Sequence, residues 1–293
     1  MGPGALASPL FLLGQGLFCA QGWVVPQAPV PILSIAGSDC SAGAGIQADL
    51  KTISALGGYG LTALTSVVAE TPGKVSSWVA LEPAMVSDQI RVLLQGFAVG
   101  AAKTGMVGGR PQIQAAAQAW REWGAARPLV VDPVMVATSG GRLLRDDAVG
   151  ALEAELIAQA TVVTPNMDEA AVFWGREVRT RGEMLDCARA LAQRWAVAVL
   201  LKGGHLRDDL AEDVLVHSGG EEWLSAPRTA GVHTHGTGCC FSAALATGLG
   251  QGMALVDAAR RAKVFVSQAI AQHFSWGQSP QRVDALNHFH VAS

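Results

Sequence analysis

PLVVDPVM (residues 128–135), DDAVGALEAELI (146–157) and ATVVTPN (160–166) decide the fold of this chain. The first and third segments are short continuous apolar runs rich in valine, which marks strands buried on both faces. The middle segment has helical spacing. Two buried strands joined through a helix form a parallel crossover unit. The same succession continues upstream, with strands PILSIAG (31–37), LTALTSVVAE (61–70) and AAKTGMV (101–107), and helices at 46–56, 84–97 and 110–122 between them. Downstream come a helix at 181–195, the strand VAVLLKGG (197–204), an antiparallel pair within 214–226 and two closing helices at 239–250 and 254–273. This is an α/β pattern: a mainly parallel sheet covered on both faces by helices. No linker or repeat divides residues 31–293, so one domain is expected there.

Composition narrows the function. Of 293 residues, half are hydrophobic and 15% are charged, and the net charge is −3. A compact core is expected, and nothing favours nucleic acid as a partner. An anionic ligand must therefore be held by local donors. Cys19, Cys40, Cys187, Cys239 and Cys240 are odd in number and contain no C-x-x-C spacing, which argues against a disulfide framework or a zinc site and for a reducing compartment. Residues 1–30 are apolar and rich in Gly and Pro. The first basic residue is Lys51, so no positive segment precedes the apolar stretch at 11–18, which argues against a secretory leader. That stretch is also too short to span a membrane. Residues 1–30 are expected to be a disordered extension.

In parallel sheets of this kind, ligands lie outside the carboxyl ends of the strands. The unusual motifs fall there: GSDCSAGAG after residue 36, AET after 68, GM after 104, DPVM after 131, TPNMDE after 163 and KGGH after 201. The most informative is THGTGCCFS (234–242), just before an apolar helix. The first N–H groups of a helix lack internal partners and sit at the positive end of its dipole, so this segment reads as an anion site. Cys239 at its mouth is expected to have a lowered pKa. The competing reading is a glycine turn that caps the helix over a buried thiol.

The remaining polar residues also admit two readings each. Asp49 either reaches a polar substrate atom or is a solvated helix carboxylate. Asp132 ends a strand before Pro133. Asn166 and Glu169, three residues apart, either orient Mg²⁺ and its waters or form a helix capping box; the two roles can coexist. Lys202 offers a point charge for phosphate, and His205 is read as a turn residue. Lys263 is a helix-surface lysine unless the fold carries it to the nucleotide. The eight tryptophans show no stacking-platform spacing. Neither GxxxxGK[ST] nor GxGxxG occurs, which excludes a P-loop and disfavours a dinucleotide-dependent oxidoreductase.

The ordered set IAGSD, GIQADLKT, TGM, VDPVM, SGG, TPN, KGGH and HGTGC resembles the hydroxymethylpyrimidine/phosphomethylpyrimidine kinases of thiamine biosynthesis, within the ribokinase-like superfamily, from residue 31 to residue 290. Sugar kinases of that superfamily carry Asp at the position of Cys239, so the cysteine points to the pyrimidine and vitamin B6 branch. The resemblance implies a three-layer α/β/α sandwich, ATP and Mg²⁺, and successive phosphorylation of 4-amino-5-hydroxymethyl-2-methylpyrimidine and its monophosphate. It implies Cys239 as base, with the amides of Gly236, Thr237, Gly238 and Cys239 as anion hole. Asn166, Glu169, Lys202 and Lys263 would serve ATP and its phosphates, with Asp132 and Glu169 near Mg²⁺ through water. Ala44, Asp49, Val68, Met106, Val134 and residue 70 would line the substrate pocket. A cytoplasmic homodimer acting on a small molecule is expected, with no membrane or nucleic-acid partner. Two positions depart from the pattern. Glu70 stands where the family usually has a glutamine that reads the aminopyrimidine edge as both donor and acceptor; an ionised carboxylate only accepts. Cys240 replaces a common threonine and is expected to pack. A pyridoxal kinase is the nearest alternative function, since a carboxylate suits a pyridinium nitrogen. A non-catalytic nucleotide- or vitamin-binding regulator is the alternative of another class.

Overall fold

The apolar runs assemble into one nine-stranded sheet, flanked by helices on both faces. The computed structural model describes residues 27–135, 146–204, 209–232, 235–277 and 282–290. Three two-residue strands before them, β1 (Phe11–Leu12), β2 (Leu17–Phe18) and β3 (Val24–Val25), pair antiparallel. The rest of the expected extension up to residue 26, the SGG motif at 139–141, His205 and Thr234 lie outside the described residues.

The sheet strands are β4 (Pro31–Asp39), β5 (Tyr59–Thr71), β6 (Lys74–Ala80), β7 (Ala101–Thr104), β8 (Leu129–Val131), β9 (Val162–Val163), β10 (Ala198–Lys202), β11 (Leu210–His217) and β12 (Gly220–Pro227). Their order is β12-β11-β10-β9-β8-β7-β4-β5-β6. The six strands from β10 to β5 run parallel. Antiparallel β6 closes one edge and the β11–β12 hairpin the other. The chain runs from β4 to β5 on one side and returns to β7 on the other, so the switch point where such sheets bind ligands lies at β4.

The helices are α1 (Gly45–Ala55), α2 (Pro83–Gly96), α3 (Arg110–Ala119), α4 (Asp146–Ala151), α5 (Met167–Trp174), α6 (Arg181–Trp195), α7 (Thr237–Gly250) and α8 (Leu255–Ala271). A π-helical turn extends α3, and π and 3₁₀ turns extend α4 to Gln159. A short pair, β13 (Phe274–Trp276) and β14 (Val283–Ala285), follows α8. Alternation along the strands supplies both layers. Leu33 and Ile35 of β4 pack with α2, α3 and the α4–α6 region, while Ile32 packs with α1, α7 and α8. Helix α7 is buried at every residue from 240 to 249, so its sequence is apolar all round.

The structure refines several boundaries. The expected strand 128–135 stops at Val131, because Pro133 cannot extend the ladder. The run 160–166 contributes only Val162–Val163. Strand β6 was not expected at all: KVSSWVA is an edge strand without a buried residue, so it carries no core-facing period. Helix α5 begins after Asn166, which with Glu169 forms the anticipated capping box.

The entry to α1 depends on a glycine. Gly45 has φ +57°, and a Cβ there would press against the Gly37 carbonyl at the end of β4. Gly45→Ala is expected to destabilise the fold by about 1–3 kcal/mol through this strain, measured as a lowered urea midpoint with unchanged slope.

Candidate active site

The carboxyl edge of the sheet carries three linked groups of polar residues. The first surrounds the start of α1. The Asp39 carboxylate accepts hydrogen bonds from the backbone N–H groups of Ser41 (2.7 Å), Gly43 (3.0 Å) and Ala44 (2.8 Å), and from the Ser41 hydroxyl (2.7 Å). Burial pushes this carboxyl up, but hydrogen bonds from His235, Ser41 and Ala44 outweigh it and bring it down to about 2. Beside it, Ala44 is buried as the N-cap of α1, and Val68 pairs with Asp39 across β4–β5. Met106 follows β7, with its sulfur 3.8 Å from the Ser66 hydroxyl. Val134 lies two residues beyond Asp132 and is part-buried.

The second group is the start of α7. Gly236 has φ +82° and a Cβ on it would overlap the Gly43 carbonyl, so only glycine permits the two loops to touch here. No side chain caps the helix, leaving the first-turn amides of Thr237, Gly238 and Cys239 directed outward. Gly238 faces the third group: a Cβ there would sit 3.1 Å from Lys202 Nζ and 3.5 Å from Asp132 Oδ2.

In the third group, Lys202 Nζ lies 2.9 Å from Asp132 Oδ1, which also accepts from Thr164 (3.2 Å), while Asp132 Oδ2 accepts from Ser242 (3.2 Å). Burial opposes the Lys202 charge, but Asp132 and Glu169 outweigh it and raise its pKa. Glu169 accepts from the Asn166 N–H (2.9 Å) and Asn166 Oδ1 from the Glu169 N–H (2.8 Å). Burial and the Asp132 charge hold the Glu169 carboxyl above its ordinary value, against Lys202. The structure thus brings Gly238, Asp132, Lys202 and Glu169 together.

Three sequence expectations need correction. Cys239 is not acidified. Burial drives its thiol up to about 11, and the pull of buried Lys103 only partly offsets this. Asp49 is not a solvated carboxylate. It is 0% exposed and paired with Lys103 Nζ at 3.0 and 3.2 Å, with the Ser34 hydroxyl at 2.5 Å. Lys263 is not on the helix surface. It is 8% exposed, with Nζ 2.8 Å from Asp213 Oδ2, and Asp213 Oδ1 accepts from the Gly203 N–H beside Lys202. Cys240 is fully buried, with its sulfur 3.1 Å from His288 Nε2.

Sequence reading missed Lys103, Asp39 and His235. Lys103 had a visible signal, since a charge inside a fully buried four-residue strand requires a buried partner. Glu70 occupies a bulge at the end of β5, a device that re-aims a side chain. Its carboxylate lies 3.9 Å from His235 Nε2, and its pKa is raised by burial and by Asp39 against the opposing effect of His235.

An uncapped helix start beside a lysine–carboxylate cluster, at the switch point of a ribokinase-like α/β/α sandwich, defines a small-molecule phosphotransferase. The sequence profile of the family described as phosphomethylpyrimidine kinase matches residues 39–284, and the chain belongs to that family. A hydroxymethylpyrimidine/phosphomethylpyrimidine kinase of Rhizobium meliloti is 44% identical, covering 88% of this chain and 96% of the relative. Among solved structures, Staphylococcus aureus pyridoxal kinase in complex with AMP-PCP and pyridoxal superposes with a TM-score of 0.80 at 32% identity, covering 90% of this chain and 94% of that one. The phosphomethylpyrimidine kinase of Clostridium difficile 630 gives 0.72 at 33% identity, covering 82% and 99%. No helix among the described residues is long and apolar enough to cross a membrane.

The Lys103–Asp49 pair yields a direct test. Lys103→Met leaves a fully buried carboxylate without its cation and is expected to cost about 3–5 kcal/mol in urea unfolding. Lys103→Met with Asp49→Leu should recover most of that loss; a double variant no more stable than the single one contradicts the pairing.

Proposed function

We propose that the protein uses ATP to phosphorylate the hydroxymethyl group of 4-amino-5-hydroxymethyl-2-methylpyrimidine, then its monophosphate, giving the pyrophosphate used in thiamine phosphate synthesis. The observation that carries this reading is the first turn of α7, uncapped and facing Lys202 and Asp132, with Cys239 on the same turn. The nucleotide complexes of the pyridoxal kinase neighbours support ATP as donor. Family resemblance alone supports a cytoplasmic homodimer.

In the first step the substrate oxygen attacks the γ-phosphorus, ADP leaves, and the hydroxyl proton passes to the Cys239 sulfur in its thiolate form, the minor form at neutral pH of a thiol held near 11. The amides of Gly236, Thr237, Gly238 and Cys239 and the ammonium of Lys202 stabilise the charge on the transferring group. Ala44, Val68, Met106, Val134 and Asp49 with its Lys103 partner shape the pocket at the end of β4. Lys263 acts through Asp213, which holds the Gly203 N–H and so the chain direction after Lys202. Asn166 and Glu169 fix the start of α5 beside the phosphates. Both Asp132 and Glu169 already accept protein hydrogen bonds or face Lys202, a donor set that fits Mg²⁺ held through water rather than directly. Bound there with ATP, Mg²⁺ would neutralise charge on the β- and γ-phosphates.

The second acceptor is a phosphate already ionised at neutral pH, so a base matters less. Cys239→Ala is therefore expected to slow the first phosphorylation by about 10²–10⁴-fold in single-turnover assays, with a clearly smaller effect on the second; equal losses contradict the assignment. With the thiol near 11, the thiolate fraction grows as pH rises, so kcat/KM for the first step should climb from pH 7 to 9 without a plateau.

The high similarity to pyridoxal kinases and the carboxylate of Glu70 favour pyridoxal phosphorylation as the second reading. Steady-state assays of wild type and Glu70→Gln separate the two. The pyrimidine alcohol is expected to be the better wild-type substrate, with Glu70→Gln widening its advantage. A wild-type preference for pyridoxal, lost in Glu70→Gln, selects the second reading.

A further inference from the structure

Three side chains with metal-ligand chemistry converge from three separate loops. Asp39 ends β4, Glu70 sits on the bulge of β5, and His235 immediately precedes Gly236. Their ligand atoms all lie within 4.8 Å of one another, and they are the one such trio among the described residues. His235 Nε2 is 3.4 Å from Asp39 Oδ2 and 3.9 Å from Glu70 Oε2. Asp39 and His235 are buried and Glu70 is nearly so, with 10% and 11% side-chain exposure at His235 and Glu70.

We propose that Asp39, Glu70 and His235 form a binding site for a divalent transition metal of the Zn²⁺ class. One imidazole and two carboxylates suit Zn²⁺ or Co²⁺, whereas Mg²⁺ prefers oxygen ligands alone. Metal–ligand bonds of roughly 2.0–2.2 Å place two ligands of a tetrahedral ion about 3.3–3.6 Å apart. The His235–Asp39 pair already has that spacing. The His235–Glu70 pair, at 3.9 Å, needs a movement of a few tenths of an ångström. Charge argues the same way, since two carboxylates face each other across a single imidazole. Glu70 supplies the third ligand, where an amide would be a poor donor to such an ion. Water would fill the fourth position. A bound ion would join the loop entering α1, which Asp39 folds through the N–H groups of Ser41, Gly43 and Ala44, to the loop entering α7.

The site is tested on the full chain, with Zn²⁺ or Co²⁺ as the only additions, so the outcome does not depend on which substrate is phosphorylated. Calorimetry with Zn²⁺ should show one site per chain, Co²⁺ should develop visible absorption that Zn²⁺ abolishes, and Zn²⁺ should raise the Tm. Glu70→Gln, checked for native circular dichroism, should weaken Zn²⁺ binding by at least about tenfold. Asp39 is left intact because it folds the loop. Cys40 is the nearest competing ligand, since its sulfur lies 3.3 Å from the Glu70 backbone nitrogen, and Cys40→Ser should bind as wild type does. Absence of stoichiometric binding overturns the proposal, as does binding that survives Glu70→Gln unchanged or that Cys40→Ser abolishes.

Discussion

The contact between Gly236 and the Gly43 carbonyl is the constraint on which the rest of the site depends. It admits no side chain, and with φ at +82° the residue turns the chain directly into α7 without a capping group. Two helix starts, those of α1 and α7, are thereby held against each other above β4, where the sheet reverses its order. The polar groups proposed to meet a phosphoryl donor come from neighbouring strand ends: Asp132 after β8, Asn166 after β9 and Lys202 from β10. No long-range steering is required in a chain of net charge −3, because amides and one lysine supply the positive potential locally.

Three lysine–aspartate pairs run along this edge: Lys103–Asp49, Lys202–Asp132 and Lys263–Asp213. Burying such pairs is costly, and a well-packed apolar pair often serves stability as well. Their placement explains them better than stability does. Lys103 acts on the Cys239 sulfur, Lys202 faces the first turn of α7, and Asp213 ties Lys263 to the backbone after Lys202. The resting Cys239 is a neutral thiol, because burial, with the Asp49 and Asp132 charges, exceeds the pull of Lys103. The base proposed for the first transfer is its minor thiolate form, which limits the rate less where the transition state of phosphoryl transfer is loose.

Much of this was legible in the sequence for a physical reason. Strands buried on both faces are continuous apolar runs, and parallel sheets keep their ligands at the carboxyl ends, so β4, β7 and β10 and the strand-end residues Asp132, Asn166 and Lys202 could be placed from pattern alone. What escaped depends on depth and partners. Strand β6 is exposed and has no core period. Lys263 looks like a surface lysine until α8 is packed and Asp213 is brought beneath it. The direction of the Cys239 shift turns on a competition between helix dipole and burial, and only the folded chain sets the burial. Asp39 and His235 lie 196 residues apart in the numbering (235 − 39), so nothing local announces their meeting.

One site is proposed to perform two successive transfers onto a pyrimidine alcohol. The most direct measurement is a ³¹P NMR time course of the wild-type protein with ATP, Mg²⁺ and 4-amino-5-hydroxymethyl-2-methylpyrimidine. A monophosphate ester resonance is expected to rise and then give way to a pyrophosphate ester, with two ADP formed per pyrimidine consumed. A spectrum showing only ATP hydrolysis to inorganic phosphate, or no new ester, would contradict it.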